Sequence, residues 1–169
     1  DFIRDLASKK KEEITLDTLR HLYGLLAPDD IDPKGGLNYR KDMPLHRVYF
    51  HEIETPDKIP ASMRALVQWL ADEDTKRTMH ATRIASRAHH KLLRIFPFTK
   101  HSGKVARLLM NLLLLRDGYP PVILHATDRQ RYYDAIKVSS DATAKVVNDA
   151  LENAIESEIP GLRTSAGEA

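Results

Sequence analysis

Residues 96–107, FPFTKHSGKVAR, separate a long helical pattern from the strongly apolar segment LLMNLLLLRDGYPP. These twelve residues have the form of a loop that leads into a helix N-terminus. Proteins often hold phosphate at such a place, because the first backbone N–H groups of a helix lack intrahelical partners. The sequence therefore raises the question of which chemistry the loop can perform on a bound anion.

The segment after this loop predicts the centre of the fold. Residues 103–116 are apolar on nearly every side, and a helix that is hydrophobic all round lies inside a bundle. Gly118 is a suitable C-cap residue, and Pro120 with Pro121 prevents continuation of the helix.

Apolar residues at three- and four-residue spacing predict further helices on both sides of the central one. Thr15 is the expected N-cap of the first helix, and Pro28 ends it. The predicted ranges are 15–26, 61–70, 76–95, 128–138 and 142–157. The fold class expected from this pattern is all-α, a helical bundle around a central apolar helix.

The stretch 27–60 is rich in Pro, Gly and Asp and predicts a long loop. Within it, HRVYFHEI at 46–53 predicts a short β-hairpin. A loop of this length in a compact domain is usually functional or poorly ordered.

Length and composition predict one domain over residues 1–169. The chain has 169 residues, 42% of them hydrophobic, which is enough for one sizeable core. We expect the core at about 16–154 and a frayed tail at 155–169. The first residue is Asp1 rather than Met, which is compatible with a piece of a longer chain.

Charge and cysteine content exclude several function classes. The net charge of +2 is too small to indicate nucleic-acid or membrane binding. Between Thr75 and Arg116, however, there is no Asp or Glu and there are ten Lys and Arg, so this region has a positive local field. The chain has no cysteine, which excludes disulfides and thiolate chemistry and favours a reducing, cytoplasmic location.

Three segments resemble the Fic family, whose fold typically transfers AMP from ATP to a hydroxyl of a target protein. They are HHKLLRIFPF, GKVARLLMNLLLLRDGYPPVIL and DRQRYYDAI. GGLNYR at 35–40 is similar to the family's upstream Gly-x-Tyr-Arg element. The resemblance extends from about Leu16 to Ala154 and implies a Fic-type helical bundle.

HRVYFHEI lies where the Fic family has its flap, a β-hairpin that binds a target segment by strand addition. The resemblance therefore implies a small β-hairpin flap in this chain. The expected target-binding residues are Val48, Tyr49, Phe50 and His51.

The family's signature is His-Pro-Phe-x-Asp/Glu-Gly-Asn-Gly-Arg-x-x-Arg. In the family the His is the general base, the acidic residue holds Mg²⁺, and the following turn binds phosphates. This sequence has Phe96 in the position of the base and Lys100 in the position of the metal ligand. His101, Ser102 and Lys104 replace the first Gly, the Asn and the first Arg, whereas Pro97, Phe98, Gly103 and Arg107 match.

These replacements argue against AMP transfer. Phe96 cannot accept a proton, and Lys100 repels a cation. We expect no Mg²⁺ and no other metal, and our leading hypothesis is a pseudoenzyme. Its expected partner is a protein segment at the flap or a small anionic ligand, such as phosphate or a nucleotide, in the loop.

The loop retains groups that favour an anion. The helix N-terminus attracts negative charge, and cationic side chains surround it. The expected anion-binding residues are Lys100, Ser102, Gly103, Lys104 and Arg107. The alternative is that the cations are only solvated and that Ser102, as N-cap, accounts for the turn.

Two other functions stay open. His101 lies in the loop itself and is a candidate catalytic base in an enzyme acting on a small anionic or phosphorylated substrate. In that enzyme Lys100 and Lys104 stabilise charge. Alternatively, the domain is an interaction module whose flap strand extends a partner's sheet. Fic family members commonly have the same pair as His89 and His90, so the resemblance implies structural hydrogen bonds for these two residues. A metal site is not expected, because no carboxylate lies at ligand spacing from them.

Overall fold

The computed structural model describes residues 2–9, 12–32, 34–44, 52–123 and 129–158. All regular structure within these ranges is helical, so the expected all-α class is confirmed. The helices are α1 (Phe2–Ser8), α2 (Leu16–Leu26), α3 (Ile59–Ala71), α4 (Glu73–Thr78), α5 (Ala81–Ile95), α6 (Ser102–Arg116), α7 (Arg129–Val138) and α8 (Ser140–Glu158), with short 3₁₀ helices at Pro28–Asp30 and Pro56–Lys58.

The predicted β-hairpin is not seen. Residues 46–51 lie outside the described residues, and Glu52 and Ile53 belong to no strand. The flap residues Val48, Tyr49, Phe50 and His51 are among those that lie outside the described ranges.

Helix α2 begins where the sequence predicts. The Thr15 hydroxyl accepts a hydrogen bond from the Thr18 N–H at 3.3 Å, and the Thr18 hydroxyl accepts one from the Thr15 N–H at 3.1 Å. This reciprocal capping box satisfies two N–H groups at the helix start. Leu19, Leu22 and Tyr23 form the buried face of α2.

The prediction of one helix over 76–95 is wrong, because the structure has two helices there. Met79 is extended, with φ −122° and ψ 141°, and it separates α4 from α5. His80 is the N-cap of α5, and its Nδ1 accepts a hydrogen bond from the Thr82 N–H at 3.2 Å. Histidine is not among the preferred N-cap residues, so His80 gave no sign in the sequence of a helix start at this position.

Helix α6 is the centre of the bundle, as predicted. Helices α1, α2 and α5 all pack against it, and the contact with α5 is the most extensive. Its buried residues are Ser102, Val105, Ala106, Leu109, Met110, Leu112 and Leu114. Among the described helices, none combines the length and apolarity needed to cross a membrane.

The C-terminal end of α6 is closed by a Schellman motif. The Tyr119 N–H donates to the Leu114 carbonyl at 3.0 Å, and the Gly118 N–H donates to the Leu115 carbonyl at 3.1 Å. Gly118 has φ 82°, a left-handed conformation that glycine adopts without steric cost. The predicted helix end is thus confirmed, with Asp117 as the C-cap and Gly118 directly after it.

Candidate functional site

The loop between α5 and α6 comprises residues 96–101, and its two ends are in the left-handed backbone region. Phe96 is the C-cap of α5 with φ 49° and ψ 62°, and His101 is the N-cap of α6 with φ 67° and ψ 12°. Within the described ranges these are the only residues other than glycine with positive φ. Side chains with a Cβ disfavour this conformation, so other contacts must hold the loop in shape.

The buried side of the loop supplies some of these contacts. The Phe98 ring is fully buried and stacks on Tyr23 of α2, with ring centroids 4.2 Å apart. The Ser102 hydroxyl donates to the Phe98 carbonyl at 2.8 Å and accepts from the Phe98 N–H at 2.9 Å. These bonds close the loop across its base.

This geometry corrects the expected role of Ser102. The N-cap of α6 is His101, and Ser102 is the first helical residue. Because its hydroxyl proton is used by the Phe98 carbonyl, the buried Ser102 has no side-chain donor left for an anion. Only its backbone N–H remains available.

Arg40 holds the loop from the other side, and its guanidinium is buried, with 4% of the residue exposed. Its Nε donates to the Phe96 carbonyl at 2.6 Å and its Nη2 donates to the Ile95 carbonyl at 3.2 Å. Nη2 also donates to the Glu54 carbonyl, and the Arg40 N–H donates to the Pro97 carbonyl at 2.8 Å. The Arg40 guanidinium thus provides donors for the Ile95 and Phe96 carbonyl groups at the left-handed turn.

No role was predicted for Arg40, although it lies in the segment that resembles the Gly-x-Tyr-Arg element. It is 56 residues from Phe96, and no periodicity or charge pattern links the two positions. The only signal was the resemblance of residues 35–40 to the family's upstream element.

The exposed side of the loop contains the expected site residues. Lys100 and Lys104 are exposed, whereas His101 and Arg107 are half-buried. In the part of the chain that the structure describes, no carboxylate pairs with Lys100, Lys104 or Arg107. The structure therefore brings three cations and an imidazole to one end of α6.

The backbone adds donors at the same place. Within the described ranges, the N–H groups of Ser102, Gly103 and Lys104 have no acceptor, and the first such bond is from the Val105 N–H to the His101 carbonyl at 2.9 Å. Three free N–H groups at a helix N-terminus attract negative charge. This end of α6 thus combines free backbone N–H donors with positively charged side chains.

His89 lies in the core beside this site. It is fully buried, and its Nε2 hydrogen-bonds the Tyr132 hydroxyl. Burial lowers the pKa of His89 to about 4. His90 is also buried, and its Nδ1 lies 3.1 Å from the Thr143 hydroxyl, so the expected structural role of this pair is confirmed.

The residues of the loop do not fit a magnesium ion. Mg²⁺ requires oxygen ligands and usually one or two carboxylates, but residues 96–104 include no Asp or Glu. Asp117 lies at the other end of α6, about 20 Å away by helix rise. Among the described residues, no group of three or more His, Cys, Asp or Glu is arranged to hold a metal.

The bundle, its central helix and the loop at the N-terminus of that helix define a helical domain with a cation-rich turn. The model of the Fic/DOC family matches residues 13–114. The chain belongs to this family.

Similar proteins agree with that assignment. Protein adenylyltransferase Fic of Drosophila ananassae is 34% identical over 134 residues, which cover 78% of this chain and 26% of that protein. The structure of Fic-1 from C. elegans has a TM-score of 0.75 at 30% identity and covers 97% of this chain and 49% of that chain. The chain thus spans about a quarter of the length of the curated relatives that it matches.

A more distant structure shares the fold. It is a complex of IbpAFic2 with adenylylated Cdc42, with a TM-score of 0.67 at 17% identity. The match covers 90% of this chain and 52% of that chain.

Proposed function

We propose that this chain is a pseudoenzyme of the Fic/DOC family that binds an anion at the N-terminus of α6 and does not transfer AMP. One observation supports this proposal most directly. The framework of the loop, formed by Arg40, Phe98 and Ser102, is intact, whereas Phe96 and Lys100 stand in the motif positions of the base and the metal ligand.

The expected loss of activity is large. A positioned general base contributes about 10² to 10⁴ in rate. A catalytic metal contributes several kcal/mol of charge stabilisation, and each further 1.4 kcal/mol or so is a factor of ten. Loss of both therefore reduces Mg²⁺-dependent AMP transfer below a useful rate.

The expected ligand is phosphate or the phosphate part of a nucleotide, bound without a metal. The free N–H groups of Ser102, Gly103 and Lys104 point to an oxyanion as the preferred occupant. Lys100 and Arg107 supply positive charge near it. A lysine in the position of the metal ligand can neutralise a phosphate, but it cannot activate a nucleophile as a metal does.

A protein segment is the second expected partner. The IbpAFic2 structure contains adenylylated Cdc42, so a fold of this type accommodates a protein target in that case. In this chain we assign target binding to Val48, Tyr49, Phe50 and His51 of the proposed flap. A variant that lacks residues 46–51 should lose the protein partner and keep phosphate binding.

A divergent enzyme is the alternative, and the placement of His101 favours it. The imidazole is half-buried at the N-cap of α6, beside the free N–H groups, and within the described ranges it has no hydrogen-bond partner. In this alternative, His101→Ala abolishes turnover of a phosphorylated substrate while binding persists. The pseudoenzyme is indifferent to the change.

Two measurements test the leading proposal. Incubation with radiolabelled ATP, Mg²⁺ and cell lysate should label no protein, and robust labelling would refute the pseudoenzyme assignment. Calorimetric titration with phosphate, ADP and ATP should show binding that does not change when Mg²⁺ is added. Absence of binding to all three would refute the anion site.

Matched variants locate the anion. Lys100→Ala and Lys104→Ala should each weaken phosphate binding at least about tenfold, since a charge-assisted hydrogen bond contributes about 1.5–3 kcal/mol. Lys145→Ala, at an exposed position of α8, is the control and should leave phosphate affinity unchanged.

We also propose a cytoplasmic location, because a chain without cysteine needs no oxidising compartment. Fractionation of cells that express the tagged chain checks this assignment.

A further inference from the structure

A groove of about 450 Å³ lies between α3 and α5. Leu66 and Ile95 form its buried apolar floor. Lys91 and Arg94 line one side, and Val138, at the end of α7, lines another with 76% of its surface exposed. No acidic residue is among the described residues that line the groove.

The basic residues of α5 fall into two groups. Arg83 and Arg87 lie 3.2 and 3.8 Å from the Asp141 carboxylate of α8. Lys91 is further along α5 and has no ion pair within the described part of the chain; its ammonium lies 4.9 Å from the centre of the Trp69 ring. Asp141 of α8 therefore does not neutralise Lys91, and the Lys91 charge lies at the groove.

Carboxylates of this chain already lie at the mouth of the groove. Glu52, with its side chain 86% exposed, pairs with Arg94 at 3.4 Å. The Glu54 carboxylate accepts a hydrogen bond from the Ser62 hydroxyl at 3.1 Å, and the Glu54 N–H donates to the Arg94 carbonyl at 2.9 Å. At the mouth of the groove, the chain's own Glu52 and Glu54 thus make contacts through their carboxylates and through one backbone hydrogen bond.

We propose that this groove binds an acidic, leucine-containing segment of a protein partner. Its carboxylates pair with Lys91 and compete with Glu52 for Arg94, and its aliphatic side chains cover Leu66, Ile95 and Val138. The combination of cations with an apolar floor favours a peptide over free phosphate, which gains nothing from apolar contact. The inference rests on the proposed function only in taking a protein segment as a partner.

The chain contains a reporter for this site. Trp69 is its only tryptophan, and a ligand that draws Lys91 away from the ring should change its emission. The probe is the peptide Glu-Leu-Glu-Glu-Leu-Glu, and the matched peptide has Gln in place of each Glu. The acidic peptide should bind at least tenfold more tightly than its Gln counterpart and should lose affinity as salt rises.

Variants on exposed positions test the location without disturbing the core. Lys91→Glu and Val138→Asp should each weaken binding of the acidic peptide about tenfold or more, measured by anisotropy of a labelled copy. Lys145→Glu makes the same charge change at an exposed position of α8 and should have no effect. Equal affinity for both peptides, or binding that survives both groove variants, would overturn the proposal.

The loop variants separate this inference from the anion site. Protein with Lys100→Ala and Lys104→Ala should bind the peptide normally even though phosphate binding is lost. Peptide binding that disappears in this protein, or that phosphate displaces, would place the peptide in the loop and overturn the groove assignment. Self-association that Val138→Asp abolishes, without peptide binding, would instead make a second copy of the chain the occupant.

Discussion

The buried and exposed sides of the α5–α6 loop differ in what their residues contact. On the buried side, Phe98 stacks on Tyr23 and Ser102 bonds both polar groups of the Phe98 backbone. On the exposed side, Lys100 and Lys104 have no ion-pair partner within the described residues. The difference teaches that the groups that fix the loop are separate from its exposed groups, so the exposed groups can change while the fold is kept.

Two phenylalanines of the same loop test this separation with the largest expected effect. Phe98→Ala should lower the free energy of unfolding by about 3–5 kcal/mol, because it removes a fully buried ring. Phe96→Ala should cost less than about 1 kcal/mol, because that side chain is half-exposed. Urea denaturation measures both, and equal losses would mean that the loop has no distinct buried side.

Arg40 tests the same comparison from a distant part of the chain. Arg40→Met should destabilise the fold by about 3 kcal/mol, because it leaves several carbonyl groups without a donor and each costs about 1–3 kcal/mol. Arg77→Met is the control. Among the described residues, Arg77 forms only an exposed pair with Asp74, so its replacement should cost less than about 1 kcal/mol. A small loss of unfolding free energy in Arg40→Met would show that the loop keeps its shape without the Arg40 hydrogen bonds.

The buried side should also respond to pH through His89. Its pKa is lowered from 6.5 to about 4 in the fold, so the unfolded chain takes up the proton first as pH falls. Stability should therefore decrease below pH 6.5, by about 2 kcal/mol between pH 7.5 and pH 5.

Unfolding titrations at both pH values isolate this contribution in a variant without the imidazole. His89→Gln should reduce the pH dependence by about that amount, whereas His21→Gln, on the exposed surface of α2, should not. An unchanged slope in His89→Gln would contradict the assignment.

The exposed side should give the smallest effect on stability. Lys100→Ala and Lys104→Ala should each change the free energy of unfolding by less than about 0.5 kcal/mol, as surface substitutions usually do. Thermal melts without ligand check this expectation. A loss comparable with that of Phe98→Ala would mean that the cations, too, hold the loop in shape.

Much of the fold was predictable because its signals are local. Thr15 at a helix start and Gly118 after a helix end act through bonds to neighbours, and the apolar pattern of α6 indicates its burial directly. The boundary at His80 was missed because an imidazole cap is an uncommon signal. Helix α1 was not predicted, since seven residues are too few for an apolar period to stand out.

The site was predictable only in part. The placement of Lys100 just before α6, and of Gly103, Lys104 and Arg107 in its first two turns, follows from the sequence alone. That the Ser102 hydroxyl turns inward depends on the backbone of Phe98, and the role of Arg40 depends on a contact between segments far apart in sequence. Such contacts leave no periodic pattern in the chain.

The loop is also the connection between two consecutive helices that make the most extensive contact in the bundle. Contacts between neighbouring segments form early in folding, because closing a short loop loses little entropy. We expect α5, the loop and α6 to fold first as a helical hairpin, and Arg40 to reach the Phe96 carbonyl only later, across 56 residues. Substitution of Arg40 should then accelerate unfolding and leave the folding rate nearly unchanged.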